Sequence, residues 1–275
     1  GTAAGLRGAV VAPTTGEVLF LTADGRGALI PTHRIPDSFS SAVSLAELLN
    51  TQGEVHPTAL VPLPAFPEDE PPAGYLLLAS ALGRVKRIAV EDVLSAAGKG
   101  LVTLMGLASD DRLIAAAWTQ GTEPVCLCTS QGLVICFEQE EVRPMGLPAA
   151  GVAGIKLGED ARVVGMGITR PDGQVLLVTS RGYAKRTPIS EYPMQKRYGA
   201  GLLSMRPNTR TGPILAAGII SPKDALLLVT EKGQVIRRPA VEVPQLPRTA
   251  QGRAVCEIDA KDPLAGLVIL PPAPG

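Results

Sequence analysis

The residues in this chain whose types and spacing could do chemistry are cations set beside glycines. Residues 195–201 read QKRYGAG, with Lys196 and Arg197 between Gln195 and the glycines Gly199 and Gly201. Glycine lets backbone N–H groups approach a phosphate and form an anion nest, and the two cations supply charge. The plainer alternative is a turn between strands that carries two solvated cations. Four residues after a recurring turn glycine stand Arg87, Arg186 and Arg237, with Lys86, Lys185 and Arg238 beside them. Arg248 and Arg253 flank a later TAQG turn. Cations at such places either face a polyanion or keep strand edges from pairing with one another.

Net charge does not choose between these, since 26 Lys and Arg balance 26 Asp and Glu. Its distribution is informative. Residues 1–137 carry 8 basic and 13 acidic side chains, residues 138–275 carry 18 and 13, and Arg181 to Arg253 alone hold 13 against four. A local balance of +9 suits a polyanionic partner.

Other chemistry is thin. The chain has two histidines, His33 and His56, and no nucleotide-binding GxxxxGK[ST], HExxH or GxSxG pattern, so no independent catalysis is expected. Cys126, Cys128, Cys136 and Cys256 show no CxxC spacing and are expected to be small buried hydrophobes; no metal or other cofactor is expected. No apolar run approaches the roughly 18 residues of a membrane span, and the start GTAAGLRGAV lacks a signal-peptide layout. A soluble cytoplasmic protein with no membrane partner is the expectation.

The elements that must position the cations repeat along the chain. VLFLTADGRGALIP, YLLLASALGRVKRI, VCLCTSQGLVICF, VLLVTSRGYAKRTP and LLLVTEKGQVIRRP each join two apolar or basic runs through a Ser or Thr, two variable residues and a glycine. That is a β-hairpin signature. The glycines Gly25, Gly83, Gly132, Gly182 and Gly233 lie 58, 49, 50 and 51 residues apart, and RLIAAAWT, ARVVGMGI and PILAAGII recur at fixed offsets. RGAVVAP (7–13) would open the first unit, and LAGLVILP (264–271) reads as an orphan strand that would complete a ring. About four strands per 50 residues predicts an all-β, propeller-like domain over 1–275, with units near 7–56, 57–108, 109–158, 159–210 and 211–271.

Several of these segments resemble a known family. VLLVTSRGYAKRTPISEYP, LLLVTEKGQVIRRPAVEVPQLPRTAQG and VICFEQEEVRPMGLPAAGVAGIKLGED are similar to repeats in the C-terminal domain of gyrase A proteins and their topoisomerase IV counterparts. The resemblance implies a β-pinwheel of five or six four-stranded blades that exchange strands. It also implies a non-catalytic accessory domain that wraps duplex DNA on a basic rim, with a catalytic core in the same polypeptide and a separate ATPase subunit. QKRYGAG is similar to the family's box Q-R-R-G-G-K-G: Gln195, Arg197, Gly199 and Gly201 match, Lys196 replaces Arg, and Tyr198 and Ala200 depart from Gly and Lys. The DNA-binding residues so implied are Lys86, Arg87, Lys185, Arg186, Gln195, Lys196, Arg197, Gly199, Gly201, Arg237, Arg238, Arg248 and Arg253. A propeller that binds another protein is the alternative, though no WD or kelch pattern marks it.

Overall fold

The hydroxyl three residues before each turn glycine has a structural task. In the computed structural model, which describes residues 16–35, 45–49, 57–67 and 69–272, Oγ of Ser80, Thr129, Thr179 and Thr230 accepts a hydrogen bond from the backbone N–H of Arg84, Leu133, Tyr183 and Gln234, at 3.0 to 3.2 Å. Three-residue loops of this kind combine a tight turn with a left-handed glycine. Gly132 shows why: its φ is +77° and a Cβ would stand 1.7 Å from the carbonyl oxygen of Met205.

Five hairpins result: β1–β2 (Glu17–Thr22, Arg26–Pro31), β4–β5 (Tyr75–Ser80, Arg84–Ala89), β8–β9 (Val125–Thr129, Leu133–Phe137), β12–β13 (Gln174–Thr179, Tyr183–Pro188) and β16–β17 (Ala225–Thr230, Val235–Pro239). A longer strand follows each: β3 (Pro57–Leu63), β7 (Leu113–Thr119), β11 (Val163–Ile168), β15 (Ile214–Ile220) and β19 (Leu264–Leu270). Before the last four of these lie two-residue strands, β6 (Val102–Thr103), β10 (Val152–Ala153), β14 (Leu202–Leu203) and β18 (Arg253–Ala254).

The sheets run β3-β1-β2-β6, β10-β5-β4-β7, β11-β8-β9-β14, β15-β12-β13-β18 and β17-β16-β19. Each complete blade therefore pairs the first strand of its hairpin with the long strand that follows, and takes its outer strand from one repeat further on. Blade and sequence repeat are out of step. The last sheet differs from the expected four strands: β17 has no outer partner among the described residues. The segment RGAVVAP lies outside the described residues, as does His56.

The first unit of packing comprises described residues 16–122 and 142–152, and the second 123–141 and 153–272. In the first, α1 (Leu45–Leu48) places Leu48 against Val18, Phe20 and Ile30. Leu19, Leu21, Leu76, Leu78, Ile88 and Leu104 share a larger core, onto which α2 (Val90–Ala97) lays Val90 and Val93. In the second, Leu177, Tyr192 and Met205 pack with Cys126, Cys128 and Cys136, and Leu176, Leu226 and Leu228 form a further cluster.

One cysteine expectation needs correction. All four are buried, but Cys126 and Cys136 are joined in a disulfide. They stand directly opposite across β8 and β9 with Cα atoms 4.1 Å apart, a cross-strand neighbour relation that the hairpin register creates. Cys128 and Cys256 remain free thiols, and burial pushes Cys128 up to about 12.

Replacing Gly132 by Ala should test the turn argument. Positive φ and the clash with Met205 together predict a loss of at least ~2 kcal/mol in urea unfolding of the chain.

Candidate nucleic-acid interface

The strand exchange decides where each cation points. On β13 the side chain of Lys185 is fully buried, and its Nζ donates to the carbonyl oxygens of Ser204 (2.6 Å), Pro247 (3.1 Å) and Arg248. Lys86, at the same place on β5, is equally buried and donates to Leu104 at 2.7 Å. The expectation that these two lysines lie on an outer rim is therefore corrected. A hairpin strand alternates faces, and in blades that receive an outer loop this position falls inward, where a few carbonyls replace water. Desolvation pulls both amines down to about 8.

The arginine one residue later fares differently in each blade. Arg87 is buried, stacks 4.5 Å over the Tyr75 ring and donates to Gly121. Arg186 is half-buried; Nε donates to Val243 at 2.7 Å and Nη1 to Oε1 of Gln174 at 2.6 Å. In both blades the loop of the next repeat runs alongside, pairing Pro144 with Arg87 and Gln245 with Arg186. Arg237 on β17 meets no such loop among the described residues and is exposed, while Arg238 beside it donates to Val255 at 3.0 Å.

QKRYGAG is the corresponding loop over β9. Gln195 N–H donates to Cys136 (2.8 Å), Arg197 N–H to the Glu141 carboxylate (3.0 Å), Tyr198 N–H to Gly154 (2.8 Å) and Gly199 N–H to Lys196 (3.2 Å). Four donors of the expected anion nest are thus engaged inside the protein. The Arg197 guanidinium donates to the carbonyls of Glu141 and Ala153. Gly201, with φ +76°, would place a Cβ 3.0 Å from the Val134 carbonyl oxygen, so its smallness serves the approach to β9. Arg248 repeats the arrangement one repeat on: its N–H donates to Glu191 at 2.6 Å and its guanidinium to Leu203 at 2.6 Å. Arg197 and Arg248 are clamps between successive repeats, a role that a count of cations in the sequence does not reveal.

What remains outward is still strongly basic. Of the 13 cations from Arg181 to Arg253, Lys185 is buried, Arg186, Arg197, Arg238 and Arg248 are half-buried, and Arg181, Lys196, Arg206, Arg210, Lys223, Lys232, Arg237 and Arg253 are exposed. All eight exposed cations belong to the second unit. Lys196 has a side chain 94% exposed, its Nζ 3.9 Å from Glu141. A cleft of about 700 Å³ brings Arg181, Tyr183 and Arg210 together, with Glu257 and Asp259 also lining it. Among these eight, motif spacing singles out Lys196, Arg237 and Arg253; the remaining five lie at turns and loops, where spacing carries no signal.

Hairpin blades that lend a strand to their neighbour, on a repeat of about 50 residues, define a protein of the propeller class. The fold is shared with two solved structures, the C-terminal domain of DNA topoisomerase IV (TM-score 0.80, 22% identity, 93% of this chain and 79% of that one) and the DNA gyrase A C-terminal domain (TM-score 0.79, 24% identity, 94% and 83%). Residues 74–117, 123–170, 173–212 and 224–271 match the family model described as the DNA gyrase C-terminal domain, beta-propeller, and the chain belongs to that family. It is 35% identical over 198 residues to the DNA gyrase A protein of Pseudomonas aeruginosa, covering 72% of this chain and 21% of that protein. Against the DNA gyrase A protein of Haloquadratum walsbyi it is 31% identical over 264 residues, covering 94% and 30%. The chain thus spans less than a third of the length of these relatives.

Lys185→Met leaves the Ser204, Pro247 and Arg248 carbonyls without their donor and should lower urea stability at pH 7 by about 2 kcal/mol or more. The folded amine titrates near 8 and the unfolded one near 10.5, so the unfolded chain holds more protons between those values. The stability contributed by Lys185 accordingly rises as pH climbs from about 8 to 10.5 and is lost as pH falls back through 8. The advantage of the native chain over Lys185→Met should widen between about pH 7.5 and 10, measured as paired urea curves.

Proposed function

We propose that this domain binds duplex DNA through the exposed cations of its second unit and bends the duplex against them. The observation that carries this reading is the retention of eight exposed Lys and Arg among 13, after burial and clamping have removed the others from full contact with solvent. A basic surface with few partners of its own recognises phosphates without reading bases, and its energy comes from charge and counterion release.

Magnitudes support bending more readily than a full wrap. Four strands about 4.8 Å apart make a blade some 15 to 20 Å deep. Bending a duplex of on the order of 30 base pairs through a half circle costs on the order of 10 kcal/mol. Charge-assisted hydrogen bonds worth about 1.5 to 3 kcal/mol each would have to number about four to seven. Eight exposed cations suffice for that, while the acidic excess of residues 1–137 works against extending the path.

In this reading the domain has no chemistry of its own. It directs strand passage and supercoiling within a DNA topoisomerase of the gyrase type, joined to a catalytic core in the same polypeptide and working with a separate ATPase subunit. Its place is the cytoplasm, associated with the nucleoid.

Energy transfer across an end-labelled duplex of about 40 base pairs tests the proposal. Titration with the chain at low salt should shorten the end-to-end distance, and high salt should reverse it. Log affinity should fall against log salt with a slope of about −0.9 per neutralised phosphate. Arg237→Ala with Arg253→Ala should flatten that slope by about 2 if each contacts one phosphate. Affinity that hardly changes with salt would reject the mechanism.

A further inference from the structure

The loop over β9 has two faces. From Met194 to Ala200 exposure alternates: Met194, Lys196, Tyr198 and Ala200 are exposed, whereas Gln195, Arg197 and Gly199 are half-buried. The inward residues fasten the loop to Cys136, Glu141 and Ala153. Its outward face presents an apolar side chain, a cation and an aromatic ring in succession. Met194 is 45% exposed and Tyr198 55%, two of the few large apolar side chains so exposed among the described residues.

Tyr198 also has φ +67°. Only Asp160 shares a positive φ among the described non-glycine residues, and short polar residues tolerate that region where an aromatic is strained. Glycine would fit this backbone without strain, so a tyrosine there opposes folding. Its ring is not repaid by burial. The equivalent outward positions of the neighbouring loops are Pro144, Gly146 and Pro148, and Gln245, Pro247 and Thr249, so at these three positions neither neighbour presents a cation or an aromatic ring, although Arg143 is exposed beside Pro144. Strain held at an exposed side chain, in a loop otherwise fixed by hydrogen bonds, is a mark of a contact made outside the molecule.

We propose that Tyr198 and Met194 form a wedge that presses into the minor groove of duplex DNA and partly unstacks a base step, with Lys196 anchored on an adjacent phosphate. This rests on the DNA-binding reading above and adds to it a specific local kink. Apolar wedges flanked by cations kink duplexes in this way and favour easily unstacked steps over particular bases. The loop is suited to the task because its inward half keeps it rigid while the ring projects.

The test uses the 275-residue chain, a duplex of about 40 base pairs carrying 2-aminopurine at central pyrimidine–purine steps, and the variants Tyr198→Gly and Tyr198→Phe. Native chain should raise the 2-aminopurine fluorescence as a step unstacks. Tyr198→Gly should weaken binding roughly tenfold, as expected for loss of one aromatic contact to a base. It should also abolish the fluorescence rise and leave the thermal midpoint unchanged or higher, because strain is relieved. Tyr198→Phe should keep both signals. If the tyrosine were merely structural, Tyr198→Gly would lower the midpoint and leave the fluorescence alone. If native chain binds with the expected salt dependence but Tyr198→Gly matches it in affinity and fluorescence, the wedge is overturned and the DNA-binding reading stands. If native chain fails to bind the duplex at low salt, both fall.

Discussion

The structure depends on the free outer edge of each hairpin. A two-stranded ribbon leaves a row of N–H and C=O groups unpaired along its second strand, and these must find partners or face water. Four of the five hairpins are served by a two-residue strand from the next repeat. None of those four blades is completed by the stretch of chain that begins it. The register is repeated to the residue: Gly27 faces Val102 on β6, Ala184 faces Arg253 on β18, and Val134 faces Leu202 on β14.

That arrangement gives chemically identical residues different tasks. Lys86 and Lys185 lie under the incoming chain, and their amines become internal donors to carbonyls that it brings near. Arg197 and Arg248 sit within such loops and bind back to the preceding repeat. Arg237 lies on β17, which receives no loop among the described residues, and stays exposed. Burial, not residue type, separates Lys86, Lys185, Arg197 and Arg248 from Arg237, although the exposed Arg84 also donates to the Ala150 and Gly151 carbonyls of the next repeat. Removing one of those four leaves carbonyls unpaired, whereas removing Arg237 alters the surface charge.

The repeat was legible in the sequence because hairpins advertise themselves locally. The glycine at left-handed φ, the hydroxyl that braces it and the apolar runs on either side all lie within one short segment, and each follows from backbone sterics or from the need to satisfy a turn. The basic excess from Arg181 to Arg253 was equally plain. The disulfide between Cys126 and Cys136 was not, because strand register fixes which side chains face one another and a separation of 10 residues does not. The box-like QKRYGAG was legible as a motif but misleading as chemistry: Gly201 and most of its N–H groups serve contacts inside the protein.

By itself the sequence determined an all-β chain of five recurring hairpins, their turn chemistry and the half of the molecule that carries positive charge. Tertiary structure alone decided which strand completes which blade, and hence which cations are buried, which are clamps and which face outward. The physical reason is one of range. Turn preference and hydrophobic alternation act over a few residues, whereas edge pairing joins residues as far apart in the chain as Ala184 and Arg253, and the solvation of a lysine is set only when that distant segment arrives.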